Sequence, residues 1–185
     1  KGTPAGELAR QCMTELLPMV DLVIGNEADA EDVLGIEAAG TEVERGQISA
    51  EAYVEVARRI AERFPNVSLV AITLRESVSA SHNNWGAMLF DARSASAHFA
   101  PLDAQGGYRP YEIRNIVDRV GGGDSFAAGL LYALDSEQYA APGDAVRLAA
   151  AASCLKHSVH GDMNYVTLGE IEALAGGQAS GRVQR

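Results

Sequence analysis

Chemical potential in this chain is densest in the segment Asp118-Arg119-Val120-Gly121-Gly122-Gly123-Asp124-Ser125-Phe126-Ala127-Ala128-Gly129. Three consecutive glycines at a strand-to-helix turn let the backbone approach a ligand closely and present several N–H groups to it. A helix expected to begin at Asp124 adds its positive dipole end at the same point. That effect is worth roughly 0.3–1 kcal/mol per anion at a surface and up to ~2 kcal/mol when partly buried. Charge developing on a transferring phosphoryl group suits such a cradle. Asp124 itself has two readings. As a helix N-cap it is unremarkable in type, yet a capping Asp gains nothing from three preceding glycines. As a carboxylate beside an anion cradle it suits the removal of a proton from an attacking hydroxyl, a contribution of about 10²–10⁴ in rate.

Other candidate groups follow apolar runs. Asn26, in Gly25-Asn26-Glu27-Ala28-Asp29, ends one such run. Its plain reading is a helix-entry turn in which the acids favour the helix dipole. Thr73-Leu74-Arg75-Glu76-Ser77 follows another. There Thr73 can donate a hydrogen bond to a phosphate and Arg75 can add charge-assisted contacts, or Arg75 is a solvated loop charge. Asp162 follows Gly161 as a turn residue or a ligand contact. Cys154, His157 and His160 recur at helical spacing, which reads as packing near a helix end rather than as a metal site. The stretch from Asp103 to Arg109 carries no assignable chemistry.

These residues need elements to position them. Pro4 with Leu8, Cys12, Leu16 and Leu17 predicts an amphipathic helix over 4–18. The run Asp21–Asn26 predicts a buried strand, and the acids after it a short helix. A helix over 49–63 follows, with Ser49 as its cap and Tyr53, Val56, Ala57 and Ile60 as its apolar face. Further strands are expected at 68–73, 87–91, 95–100 and 113–117, the middle two as antiparallel edge strands. Helices are expected at 124–134, 142–157 and 167–174. Strand and helix alternate, which implies one α/β domain over 1–185, of three α/β/α layers around a largely parallel sheet. Ligands in such sheets sit beyond the carboxyl ends of the strands. Asn26, Thr73 and Asp118 fall at such ends.

Composition narrows the class. The 185 residues are 47% hydrophobic and 22% charged, as in globular domains. The formal net charge of -10, from 25 acidic and 15 basic residues, disfavours a nucleic-acid partner, whose binding rests on clustered Lys and Arg. It does not exclude a phosphate held by backbone amides. No apolar run approaches the ~20 residues of a membrane span, and no signal-peptide pattern opens the sequence, so no membrane partner and a cytoplasmic location are expected. Two cysteines, Cys12 and Cys154, do not make a disulfide scaffold. Neither a Gly-Lys-Ser/Thr phosphate loop nor a Gly-x-Ser-x-Gly nucleophile elbow is present.

The segment 118–124 resembles the second signature of the ribokinase-like (PfkB) carbohydrate kinases, usually Asp-Thr-x-Gly-Ala-Gly-Asp. Arg119 stands for the Thr and Gly122 for the Ala. The resemblance implies the ribokinase-like fold, with Asp124 as catalytic base in contact with the sugar and Gly121, Gly122 and Gly123 as the anion hole. Asn26 and Asp29 resemble the family's Asn-x-x-Glu motif, one methylene shorter at Asp29, which implies help in placing Mg²⁺ and phosphate through water. Thr73 and Arg75 stand at the usual place of a Thr-x-Gly-x-x-Gly nucleotide loop that here lacks both glycines. ATP contacts are thereby implied for Asn26, Thr73, Arg75, Gly121 and Gly123. A K⁺ ion held by carbonyls near Asp118 and Val120 is a further implication.

Within the family, Thr73–Ser77, Asp118–Phe126, Lys156–Asp162 and the ending Gly181–Arg185 resemble the bacterial 2-keto-3-deoxygluconate kinases. That implies transfer from MgATP to the 6-hydroxyl of 2-dehydro-3-deoxy-D-gluconate, a small sugar acid, with Asp162 contacting it. The alternatives are a fructokinase- or ribokinase-type kinase, or a non-catalytic nucleotide-binding fragment. Family members carry an N-terminal part with the sugar lid, which is not recognisable here. The chain, starting Lys1-Gly2-Thr3-Pro4, is therefore expected to be the C-terminal, nucleotide-binding portion, homo-oligomeric when complete and weakly active alone.

Overall fold

A computed structural model describes residues 4–36 and 50–177. The chain divides into two compact units, residues 1–72 with 88–97 and residues 73–87 with 98–185.

In the first unit, helix α1 (Ala5–Leu16) follows Pro4, whose fixed φ suits a helix start. A 3₁₀ turn, Leu17–Met19, ends it earlier than the expected residue 18, because Pro18 cannot continue the hydrogen-bond ladder. None of α1's residues is buried; Leu8, Met13 and Leu16 are all exposed. Strand β1 (Leu22–Gly25) leads into helix α2 (Glu27–Leu34). Helix α3 (Ala50–Arg63) buries Tyr53, Val56, Ala57 and Ile60 along one face, as the 3.6-residue period requires. The expected Ser49 cap lies outside the described residues. Strand β1 pairs in parallel with the start of strand β2 (Leu69–Ser79), in the register Leu22↔Leu69 to Gly25↔Ile72. Asn66 fastens the entry to β2 by donating to the Leu17 and Val20 carbonyls at 2.7 and 2.6 Å.

Strand β2 runs six residues past the expected end at Thr73. Its outer half is exposed and polar, so no apolar pattern marks it. It is held by pairing with strand β3 (His82–Asp91) across the two-residue turn Ala80-Ser81. Strand β3 likewise begins five residues before the expected start at 87. Strand β4 (Ser96–Ala100) follows, and the short strand β5 (Tyr111–Ile113) pairs antiparallel with β3. The expected strand at 113–117 is thus shifted toward the N-terminus, and Asp118 sits in an irregular segment rather than at a strand end. The hydrogen-bonded order is β1-β2-β3-β4, with β5 on β3. The α/β class stands, but the sheet is mixed rather than largely parallel. Links as short as those after β2 and β3 permit only antiparallel pairing.

The second unit holds three helices. Helix α4 (Gly122–Leu134) starts two residues before the expected Asp124. Gly121 is its N-cap, at φ +79°, a conformation that favours glycine. Helix α5 (Pro142–Lys156) is buried along most of its length and is the unit's central element. A side chain on Gly129 of α4 would meet Ala149 and Ala152 of α5 at 3.1 and 3.2 Å, so the small residues permit a close helix contact. Helix α6 (Leu168–Ala175) is capped by a reciprocal box between Thr167 and Glu170. Trp85, Ala151, Cys154, Leu155 and Leu174 form a core between β3, α5 and α6.

Candidate active site

The glycine-rich turn and helix α4 create a start with unused donors. The first turn of any helix leaves N–H groups without an intrahelical acceptor. Here Gly122 N–H turns back to the Arg119 carbonyl at 3.3 Å, and Ser125 N–H bonds the Gly121 carbonyl at 2.9 Å. Among the described residues nothing accepts from the N–H groups of Gly121, Gly123 and Asp124. The available set therefore keeps Gly121 and Gly123 of the expected three and has Asp124 in place of Gly122, whose N–H is engaged. Asp124 is the third residue of α4 and its side chain is exposed, not folded into core.

Two loops hold this turn in place. Val117 and Asp118 donate to the His157 carbonyl at 2.8 and 3.3 Å. The Asp118 carboxylate accepts from Val120 N–H at 3.0 Å and from Gly161 N–H at 2.9 Å. These bonds keep its carboxyl below the usual carboxylate range, the one from Val120 contributing most. The Asp162 carbonyl lies against the Cα of Gly121, where a Cβ would fall well inside contact distance. Ser153 of α5 donates to the Gly122 carbonyl at 2.7 Å in buried surroundings. The ring of His157 lies beside Gly122, tilted by 58° against Trp85 with ring centroids 4.9 Å apart, and with Nδ1 2.8 Å from the Ser153 carbonyl. Burial lowers the His157 pKa, and Lys156, Arg119 and Arg75 push in the same direction. His157 is thus a packed histidine, as its spacing suggested.

Asp124 and Asp162 both line a cleft of about 510 Å³, together with Tyr132, Met163, Asn164 and Leu168. The structure therefore brings Gly121–Gly123, Asp124 and Asp162 together in one unit. Thr73 and Arg75 belong to the same unit, but inside strand β2 rather than in a loop. Asn26 and Asp29 belong to the other unit, where they cap helix α2 reciprocally. Asn26 N–H donates to Asp29 Oδ2 at 2.9 Å, and Asp29 N–H to Asn26 Oδ1 at 3.1 Å. Both line an otherwise apolar cavity of about 480 Å³. Among the described residues no group of three or more acidic, His or Cys side chains is placed to hold a metal ion. Nor is any helix among them long and apolar enough to cross a membrane.

Sequence reasoning missed Arg119 and Lys156. Arg119 Nη2 donates to the Ser79 and Ala80 carbonyls at 3.1 and 2.7 Å, fastening the β2–β3 tip to the segment before the glycines. Nothing in residue type marks this pairing. Lys156, by contrast, closes an apolar run of buried residues, an anomaly legible in the sequence.

The sequence profile of the pfkB family carbohydrate kinases matches residues 86–167, the stretch that holds the turn, α4, α5 and Asp162. Among solved structures, a 2-dehydro-3-deoxygluconokinase from Thermotoga maritima is similar at 39% identity and a TM-score of 0.78, over 92% of this chain and 46% of its own. A PfkB family carbohydrate kinase from Listeria grayi matches at 28% identity and a TM-score of 0.74, over 94% and 46%. A protein from Enterococcus faecalis, provisionally described as a 2-keto-3-deoxygluconate kinase, shares the fold at 22% identity and a TM-score of 0.72, over 98% and 48%. The chain spans about half the length of these structures. No curated protein matches it.

Proposed function

We propose that this chain carries the phosphoryl-transfer site of an ATP-dependent sugar-acid kinase, acting on 2-dehydro-3-deoxy-D-gluconate at its 6-hydroxyl. The observation that carries the reading is the start of helix α4, where an exposed Asp124 stands beside unengaged backbone N–H groups, on a cleft shared with Asp162. Likeness to the Thermotoga enzyme supports the substrate class.

In this reading Asp124 accepts the hydroxyl proton as the sugar oxygen bonds to the γ-phosphorus. The bond from that phosphorus to the bridging oxygen breaks, and ADP leaves. The N–H groups of Gly121, Gly123 and Asp124, with the helix dipole, face the charge that gathers on the phosphoryl oxygens. Asp162 contacts the sugar acid, and Thr73 and Arg75 contribute from β2 to the nucleotide. Mg²⁺ neutralises phosphate charge when bound; its placement by Asn26 and Asp29 through water belongs to the same proposal. The complete protein is read as cytoplasmic and homo-oligomeric.

Asp124→Asn is expected to lower turnover by about 10²–10⁴ while MgATP affinity changes little, since general-base help acts in the transition state. Calorimetry and a coupled ADP assay read the two effects separately, and a variant that keeps most of its rate removes Asp124 from the chemistry. The same assay with 2-dehydro-3-deoxy-D-gluconate, fructose and ribose tests the substrate. Preference for fructose or ribose would replace the sugar-acid reading, and ATP binding without sugar-dependent ADP release would leave only a nucleotide-binding module.

A further inference from the structure

Lys156, the last residue of α5, is 0% exposed. An ammonium group removed from water is costly unless it is hydrogen-bonded and near opposite charge. Its Nζ donates to the Val159 carbonyl at 3.0 Å. Its charge also reaches Asp118, whose carboxylate it helps to hold ionised. Asp118 in turn clamps Val120 N–H and Gly161 N–H, one on each loop. Those two clamped amides bracket the contact between Gly121 and the Asp162 carbonyl. One buried cation is thus bonded to a carbonyl of the 159–162 loop, the loop that the Asp118 carboxylate ties to the 118–121 turn. The proposed phosphoryl transfer makes no use of it.

We propose that Lys156 is a positioning residue, a built-in cation that locks the 118–121 and 159–162 segments together and so presets the amides at the start of α4. This rests on the reading of that turn as the phosphate site. The competing explanation is that only the aliphatic stem matters, filling space at the end of α5. Lys156→Met keeps most of the stem and removes the charge, so the two explanations separate.

The test uses the full chain, first without nucleotide. Amide hydrogen exchange at Val120 and Gly161 is expected to quicken by about tenfold or more in Lys156→Met, to slow again when ammonium, the size of the missing group, is added, and to stay near wild type in Lys156→Arg. MgATP affinity is expected to follow the same order, falling about tenfold in Lys156→Met and recovering with ammonium. Unchanged exchange and affinity in Lys156→Met overturn the proposal, as does loosening that ammonium fails to restore. Should Lys156→Met not fold, the wild-type protein decides. Exchange at the two amides is expected to agree within about twofold in sodium, potassium and tetramethylammonium salts, because the charge is covalently fixed. A tenfold dependence on potassium would show an exchangeable ion in that role and overturn the proposal. Wild-type protein that binds no MgATP, yet shows the Lys156→Met exchange difference, fails the kinase reading while the lysine lock stands.

Discussion

Gly121 combines two constraints on one residue. Its φ of +79° is costly for any residue with a Cβ, and the Asp162 carbonyl occupies the space that a Cβ would need. Gly121→Ala is therefore expected to destabilise the fold by about 1–3 kcal/mol, read as a lowered denaturation midpoint. A larger loss in nucleotide affinity than in stability would mark displacement of the neighbouring amides. His157 sets a pH dependence. Burial depresses its pKa in the folded protein below the value of 6.5 that it has when exposed. The unfolded chain then takes up the proton first on acidification. The contribution is full above about pH 6.5 and is lost as pH falls through the lower folded value. Stability measured by urea unfolding is expected to decline below that point, and less steeply in His157→Phe. Asp118 and Glu170, both held low by hydrogen bonds, lose their own contributions only at more acid pH.

Helices α4 and α5 show why the site forms where it does. Gly129 lets the two helices approach closely, and Ser153 ties α5 to the first residue of α4. Gly129→Val inserts three carbons against Ala149 and is expected to destabilise by about 1–3 kcal/mol, checked by thermal melting. A melt within error of wild type would mean that the helices separate without penalty. At this scale the sequence was legible where side chains alternate or recur. The stripe of α3, the Thr167–Glu170 box, the Pro142 start of α5 and the Gly121–Asp124 motif all announce themselves by residue type. The outer half of β2 and the beginning of β3 do not, because Arg75–Ser79 and His82–Asn84 are polar and are held by backbone pairing. The early start of α4 was hidden for a related reason. Glycine is a poor helix former, and only the left-handed cap at Gly121 makes helical residues of Gly122 and Gly123. Thr73 and Arg75 were recognised by position, but their strand setting depends on the partner strand.

Across the whole chain, a formal charge of -10 opposes the approach of a polyanionic nucleotide. The local amides must work against that field, and a divalent cation that halves the nucleotide's charge relieves it. Chelation of divalent ions is accordingly expected to weaken ATP binding by about tenfold or more, with the deficit shrinking as salt screens the repulsion. Calorimetry with and without EDTA, at low and high salt, checks both. Equal affinity in the presence of EDTA would remove the metal from nucleotide recognition. The likeness to known kinases belongs to this scale too, with a matched segment and similarity extended over nearly all of this chain and about half of each solved structure.

The chain has one tryptophan, Trp85, packed at a tilt against His157, whose ring lies beside Gly122. Indole emission responds to local polarity and is quenched by a neighbouring protonated imidazole. The protein thus contains its own optical probe at the candidate phosphate cradle, free of background from other indoles. Ligand arrival at the turn and titration of His157 should both be readable as intensity changes, with no label added.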